Sequence, residues 1–286
     1  MKEQKLPKRV FARAEEDAAS ARHVTTTPQT ASPSYRLAFQ DNEFLLREDL
    51  RPVRFQLELL KPELMLEEAG IASTFVFYGS ARIPDPAKAD ALVTAAKTKT
   101  QRAIAERLKA NGIYYEEARK LAREASAMPL DSEGRRQFVV CSGGGPSIME
   151  AANRGAHDVG ADSIGLNIVL PHEQVPNEYV SPDLSFRFHY FALRKMHFLL
   201  RARAVAVFPG GFGTLDEMFE LLTLMQTGKV TVMPVMLFGR AFWNRVIDFN
   251  ALVEEGVIAP NDLDLFHFVE TAEEAWEIVQ RFYAGA

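Results

Sequence analysis

A single cysteine, Cys141, stands among 286 residues. One thiol excludes an internal disulfide and a cysteine metal cluster, and it fits a reducing, cytoplasmic compartment. The six histidines include no H-x-x-x-H pair and no carboxylate grouping of the zinc-binding kind, so no catalytic metal is expected. A basic excess is also missing: 33 Lys and Arg stand against 38 Asp and Glu, a net charge of −5. That balance argues against a nucleic-acid-coating protein but leaves room for a small anionic ligand at a locally positive site. No run approaches the ~20 apolar residues that span a bilayer, so no membrane partner is expected. The most apolar stretch, VTVMPVMLF at 230–238, is short and contains a proline. It reads as a buried strand. The N-terminus lacks a hydrophobic signal core. What is present is ordinary globular composition, 47% apolar and 25% charged, enough for a sizeable core.

Residues 1–34 are polar, with a Thr/Ser/Pro cluster at 23–34, and read as a flexible tail. Residues 35–70 read as a helical extension. Phe55, Leu57, Leu59, Leu60, Leu64, Met65 and Leu66 recur at roughly helical spacing, Gly70 is a plausible stop, and Pro62 is a candidate division. From 71 to 286, apolar runs alternate with helical patterns. Strands are predicted at 74–80, 137–145, 163–171, 185–191, 204–211, 231–239 and 266–271. Helices are predicted within 86–128 (with a break at Asn111–Gly112), then at 146–160, 192–203, 214–228, 242–256 and 272–284. Pro146 suits the first turn of its helix. This alternation predicts an α/β, Rossmann-like, doubly wound and mainly parallel sheet with helices on both faces. Ligands on such sheets lie beyond the carboxyl ends of the strands.

Three glycine-bearing turns fall at those ends: Gly79–Ser80, Ser142–Gly145 and Gly210–Gly213. The strongest is PGGFGTLDE at 209–217, which leaves a strand and opens a helix. Its glycines allow close backbone approach, the helix start supplies free N–H groups, and Thr214 adds a hydroxyl, a combination suited to a phosphate monoester. The same residues also fit a capping box, with Thr214 and Glu217 satisfying each other's backbone donors. Three glycines in four positions exceed what a cap needs. The spacing matches neither a G-x-G-x-x-G fingerprint nor a P-loop. Cys141 reads as a small core residue.

Together YGSARIP, SGGGPSIMEAANRGA and LRKMHFLLRARAVAVFPGGFGTLDE resemble the LOG ("lonely guy") family. These are cytokinin riboside monophosphate phosphoribohydrolases and related AMP nucleosidases, which older annotation called lysine decarboxylases. The resemblance covers roughly residues 70–284. It implies a nucleotide-binding catalytic domain over 71–286 that hydrolyses the N-glycosidic bond of a purine nucleoside monophosphate, AMP or an N6-modified AMP. No cofactor is implied, and a homo-oligomer, dimer or larger, is. Arg194 and Glu217 correspond to the family's catalytic pair. Gly211, Gly213 and Thr214 match its phosphate loop, with Pro209 and Gly210 beside them. Gly79, Ser80, Gly144, Gly145, Met149 and Lys195 complete the expected substrate-binding set. Many short members carry Glu-Arg-Lys before the arginine-lysine site, where this chain has Ala192-Leu193-Arg194-Lys195, and often an acidic residue where it has Arg203; its N-terminal extension and the segment near 111–136 exceed the compact form. The alternative is a noncatalytic nucleotide-binding or cofactor-carrier protein on the same fold. Nothing marks a Schiff-base lysine or a pyridoxal phosphate site.

Overall fold

Seven short runs of mostly apolar residues form one sheet in the structure, a computed structural model that describes residues 11–171 and 175–285. The strands are β1 (Thr74–Tyr78), β2 (Val139–Ser142), β3 (Ser163–Ile168), β4 (Ser185–Phe188), β5 (Ala202–Val207), β6 (Val235–Phe238) and β7 (His267–Val269). Their order is β4-β3-β2-β1-β5-β6-β7, and every pairing is parallel. The chain adds strands outward from β1 to β4, then returns to place β5 against the other side of β1. The direction of winding therefore reverses between β1 and β5, which opens a crevice at their carboxyl ends.

Alternate side chains of each strand enter different cores, as the two-residue period requires. Phe75 and Phe77 of β1 and Val140 of β2 pack with Tyr115, Leu121, Ile148 and Trp276. Val76 and Tyr78 of β1 and Cys141 of β2 pack with Phe198, Met218, Leu221 and Met225. Numbered in chain order, the helices are α1 (Ala14–Ser20), α2 (Asn42–Leu45), α3 (Arg51–Glu68), α4 (Pro86–Thr94), α5 (Lys99–Ala110), α6 (Ile113–Ser126), α7 (Ile148–Asp158), α8 (Phe191–Leu200), α9 (Phe212–Gln226), α10 (Arg240–Val246), α11 (Phe249–Glu254) and α12 (Ala272–Ala284); α6, α7 and α12 supply the partners on the first face, and α8 and α9 those on the second.

Several boundaries move for local reasons. The region 86–128 breaks twice, because Thr98 and Gln101 form a capping box that starts a new helix at Lys99. The helix expected over 242–256 is two, Arg240–Val246 and Phe249–Glu254, since the Asp248 carboxylate accepts from the Ala251 amide at 3.0 Å. Pro146 lies outside its helix. Ser147, the N-cap, takes φ +70° and donates its hydroxyl to the Ile83 carbonyl, so α7 begins only at Ile148.

The chain divides into two compact units, Met1–Glu58 and Leu59–Ala286. In the first, residues 14–20 form a helix with no buried residue. Asp41 caps a short separate helix at Asn42–Leu45 by accepting from the Glu43 and Phe44 amides. The helix expected across 36–70 is thus confined to Arg51–Glu68, and it runs through Pro62 without a break. The division falls inside that helix rather than after residue 70. Its second half is tied into the second unit, where Leu66 is buried and Arg201 binds Glu63 and Glu67 at 3.3 Å.

Candidate active site

The crevice between β1 and β5 widens into a cavity of about 790 Å³. The turn after β1 contributes Gly79, Ser80 and Arg82; the turn after β2 contributes Gly143; α8 contributes Arg194; and the loop entering α9 contributes Gly210 to Glu217. Backbone bonds join these loops. The Ser80 amide donates to the Pro209 carbonyl at 3.1 Å, and the Ile148 amide donates to the Ser80 carbonyl at 3.4 Å. Gly79 is required by packing, since a Cβ there would lie 2.5 Å from Ile148 Cγ2.

The glycine loop excludes the capping-box reading of Thr214. The N-cap of α9 is Gly211, not Thr214, and no side chain caps the helix. Thr214 sits one turn in and is buried against the loop, so that a Cβ on Gly210 would fall 2.1 Å from its Oγ1. Gly210 is therefore structural. Gly211 and Gly213 are not: a Cβ on either would meet nothing within 4 Å, and neither has a positive φ. The fold itself does not demand glycine at these two positions. The first intrahelical bond runs from the Leu215 amide to the Gly211 carbonyl. The amides of Phe212, Gly213 and Thr214 precede it and face the positive end of a 15-residue helix.

Glu217 lies on the buried stripe of α9, formed by Thr214, Glu217, Met218, Leu221 and Met225. Burial pushes its carboxyl up to about 7, against the opposing pull of Lys195 and Arg194. Arg194 of α8 acts on it through its charge. The Arg194 Nε donates to the Leu166 carbonyl at 2.7 Å, and the guanidinium lies over the Phe198 ring at 5.2 Å. Desolvation lowers the Arg194 pKa, and the Glu217 charge opposes that shift. The guanidinium crosses the end of β2 because residue 143 is glycine; a Cβ there would sit 2.6 Å from Arg194 Nη2.

Among the expected residues, Gly79, Ser80, Met149, Arg194, Gly210, Gly211, Gly213, Thr214 and Glu217 line this cavity. Gly144, Gly145, Pro209 and Lys195 do not. Gly144 and Gly145 instead offer their carbonyls to the Asn177 backbone and side-chain amides, each at 2.9 Å. Pro209 acts through its carbonyl bond to Ser80. Lys195 faces away from Arg194, as neighbouring helical residues do. Its ammonium joins Asp216 at 2.8 Å, Glu220 at 2.9 Å and Glu217 at 3.6 Å. It thus meets the cavity through Asp216 and Glu217.

Sequence reasoning missed Tyr78, Arg82, Gly143 and the aromatic rim. Phe212 is 93% exposed and Phe191 53% exposed, and both line the opening with Phe242. An exposed phenylalanine inside a glycine motif was the available signal. Cys141 is buried in the core, and desolvation pushes its thiol up. Among the described residues no three His, Cys, Asp or Glu side chains group as metal ligands, and no helix is long and apolar enough to cross a membrane.

Comparison with known proteins finds a family model described as possible lysine decarboxylase, which matches residues 149–279. The chain is 28% identical over 167 residues to the cytokinin riboside 5'-monophosphate phosphoribohydrolase LOG3 of Arabidopsis thaliana, covering 55% of this chain and 74% of that protein. It is 27% identical to the probable cytokinin riboside 5'-monophosphate phosphoribohydrolase LOGL2 of Oryza sativa subsp. japonica, covering 59% and 67%. Among solved structures, the Moco carrier protein from Chlamydomonas reinhardtii aligns over 75% of this chain and 99% of its own at 16% identity, with a TM-score of 0.41.

Proposed function

We propose that this chain, which is similar to cytokinin riboside 5'-monophosphate phosphoribohydrolases, hydrolyses the N-glycosidic bond of a purine nucleoside monophosphate, releasing free base and ribose 5-phosphate. One observation carries the reading: a buried carboxylate, Glu217, poised near neutral pH in the same cavity as two glycines that the fold itself does not need. A general base or acid works best when its pKa lies near the working pH.

The phosphate is assigned to the amides of Phe212, Gly213 and Thr214, where the helix dipole favours an anion and Gly211 and Gly213 let it approach the backbone. The ribose then lies over Glu217, and the base extends toward the aromatic rim. Cleavage passes through an oxocarbenium-like state, by analogy with glycoside hydrolysis. The ionised form of Glu217 stabilises that charge and takes the proton of the attacking water. Arg194 stays protonated at ordinary pH, so it positions the ligand and favours the charged form of Glu217 rather than acting as an acid.

The test is to incubate the protein with AMP, with isopentenyladenosine monophosphate and with adenosine, and to separate the products by chromatography. Free base from a monophosphate, with adenosine turned over at least about 10²-fold less efficiently, is expected if the loop holds phosphate. Tight nucleotide binding without base release would establish a noncatalytic nucleotide-binding protein instead. Equal turnover of AMP and adenosine would remove the phosphate assignment.

A further inference from the structure

Tyr78 ends β1, the central strand beside the crevice, and its ring packs edge-on against Phe198 at 5.1 Å. On the same face of that strand Val76 is apolar and Thr74 is a buried polar residue at the far end, away from the cavity lining. The Tyr78 side chain also lines the cavity. The residue is 5% exposed, and its hydroxyl has no hydrogen-bond partner among the described residues. A buried phenol normally finds one, because leaving it unpaired forfeits the hydration it gave up on folding. Glu217 is the complementary case. Its carboxylate lines the same cavity and accepts no hydrogen bond among the described residues; its ion pair with Lys195 stands at 3.6 Å. A donor lacking an acceptor and an acceptor lacking a donor therefore border one space.

We propose that the Tyr78 hydroxyl and the Glu217 carboxylate hold one water oxygen between them, with Tyr78 as a positioning residue for the water that Glu217 uses. The use of that water rests on the hydrolase reading above; the holding of it does not. Tyr78 donates its O–H to the water oxygen, and the water donates one proton to Glu217. A lone pair of the water is left for the anomeric carbon. In turnover the water oxygen bonds to that carbon as the C–N bond breaks. The bonding pair leaves with the purine, which takes one proton from solvent, while Glu217 takes one proton from the water and returns it to solvent, so that one water is consumed overall.

The surrounding charges are compatible with this arrangement. Arg194 and Lys195 face Glu217 from α8, Asp216 and Glu220 accompany it on α9, and Cys141 of β2 lies beside Tyr78. Burial and the Glu217 charge push the Tyr78 phenol upward, so it remains a donor throughout the working range. A donor that supports the carboxylate favours its charged form. Removing the hydroxyl must therefore raise the Glu217 pKa.

The experiment follows the Glu217 carboxyl carbon by NMR in protein labelled with [δ-¹³C]glutamate, assigned by its loss in Glu217→Gln, in wild type and Tyr78→Phe. Phenylalanine keeps the ring contact with Phe198, and thermal melts check that the fold is retained. The Glu217 titration should move upward by about half a pH unit or more in Tyr78→Phe. In the same pair, kcat for base release should fall by about 10–100-fold at unchanged KM, with the acid limb of the pH profile displaced in the same direction. Coincident titrations overturn the proposal, whatever the kinetics. If wild type releases no base from any nucleotide, the hydrolase reading falls, and the titration alone decides whether the pair holds a water.

Discussion

Glu217 occupies a position where the helical period calls for an apolar side chain, next to Met218 and one turn before Leu221. Placing a carboxylate there raises its pKa from an ordinary 4.5 to about 7. The consequence for stability has a definite sign. In the unfolded chain Glu217 ionises near 4.5, and in the folded protein near 7. Its proton-linked stability is therefore complete below about 4.5 and is lost as pH rises through about 7. Glu217→Gln lacks this dependence. Between pH 4 and pH 8 the stability of the variant should improve relative to wild type by on the order of 1–3 kcal/mol, measured by denaturant unfolding at each pH. A difference that does not change with pH would mean that Glu217 is solvated. Glu217 and Arg194 were legible in the sequence because they lie near a recognisable motif. Tyr78 was not, because a tyrosine in an apolar strand reads as core until its hydroxyl is found without a partner. The surroundings of Lys195 were not legible either: it follows Arg194 directly, and its three carboxylate partners lie across β5 on α9, beyond any local pattern.

At the scale of elements, the alternation of strand and helix was readable because fully buried parallel strands are short apolar runs with glycine or proline at their ends. Ends of elements were less readable, because side-chain caps decide them. Thr98 and Asp248 each start a helix that composition alone merges with its neighbour. The junction of β5 and α9 is the informative case. Its three glycines look alike in sequence, yet only Gly210 is held by a neighbour, Thr214. The two others differ from it in what they predict. Gly213→Ala should leave the melting temperature within about 2 °C of wild type, since the added methyl enters open space. It should weaken AMP binding by at least about tenfold, because the methyl stands where a phosphate would approach the backbone. Calorimetric titration of the variant with AMP reads this directly. Unchanged affinity would place the phosphate elsewhere.

For the whole molecule, topology rather than any single motif brings the site together. Residues 78–82, 143, 194 and 210–217 are far apart in sequence and converge only because winding reverses between β1 and β5. The sequence showed three glycine turns at strand ends but could not say which two strands are neighbours across the reversal. In the turn after β2, Gly143 lines the cavity while the carbonyls of Gly144 and Gly145 accept from Asn177, a difference within one turn that the motif alone does not show. The central claim is that this convergence performs hydrolysis through Glu217. The most direct measurement compares base release from AMP, or from whichever nucleoside monophosphate is turned over fastest, by wild type and Glu217→Gln under saturating substrate. A loss on the order of 10²–10⁴ in kcat, with nucleotide binding and fold retained, is predicted. Equal turnover by the two proteins would contradict it and leave Glu217 a buried partner of Lys195 and nothing more.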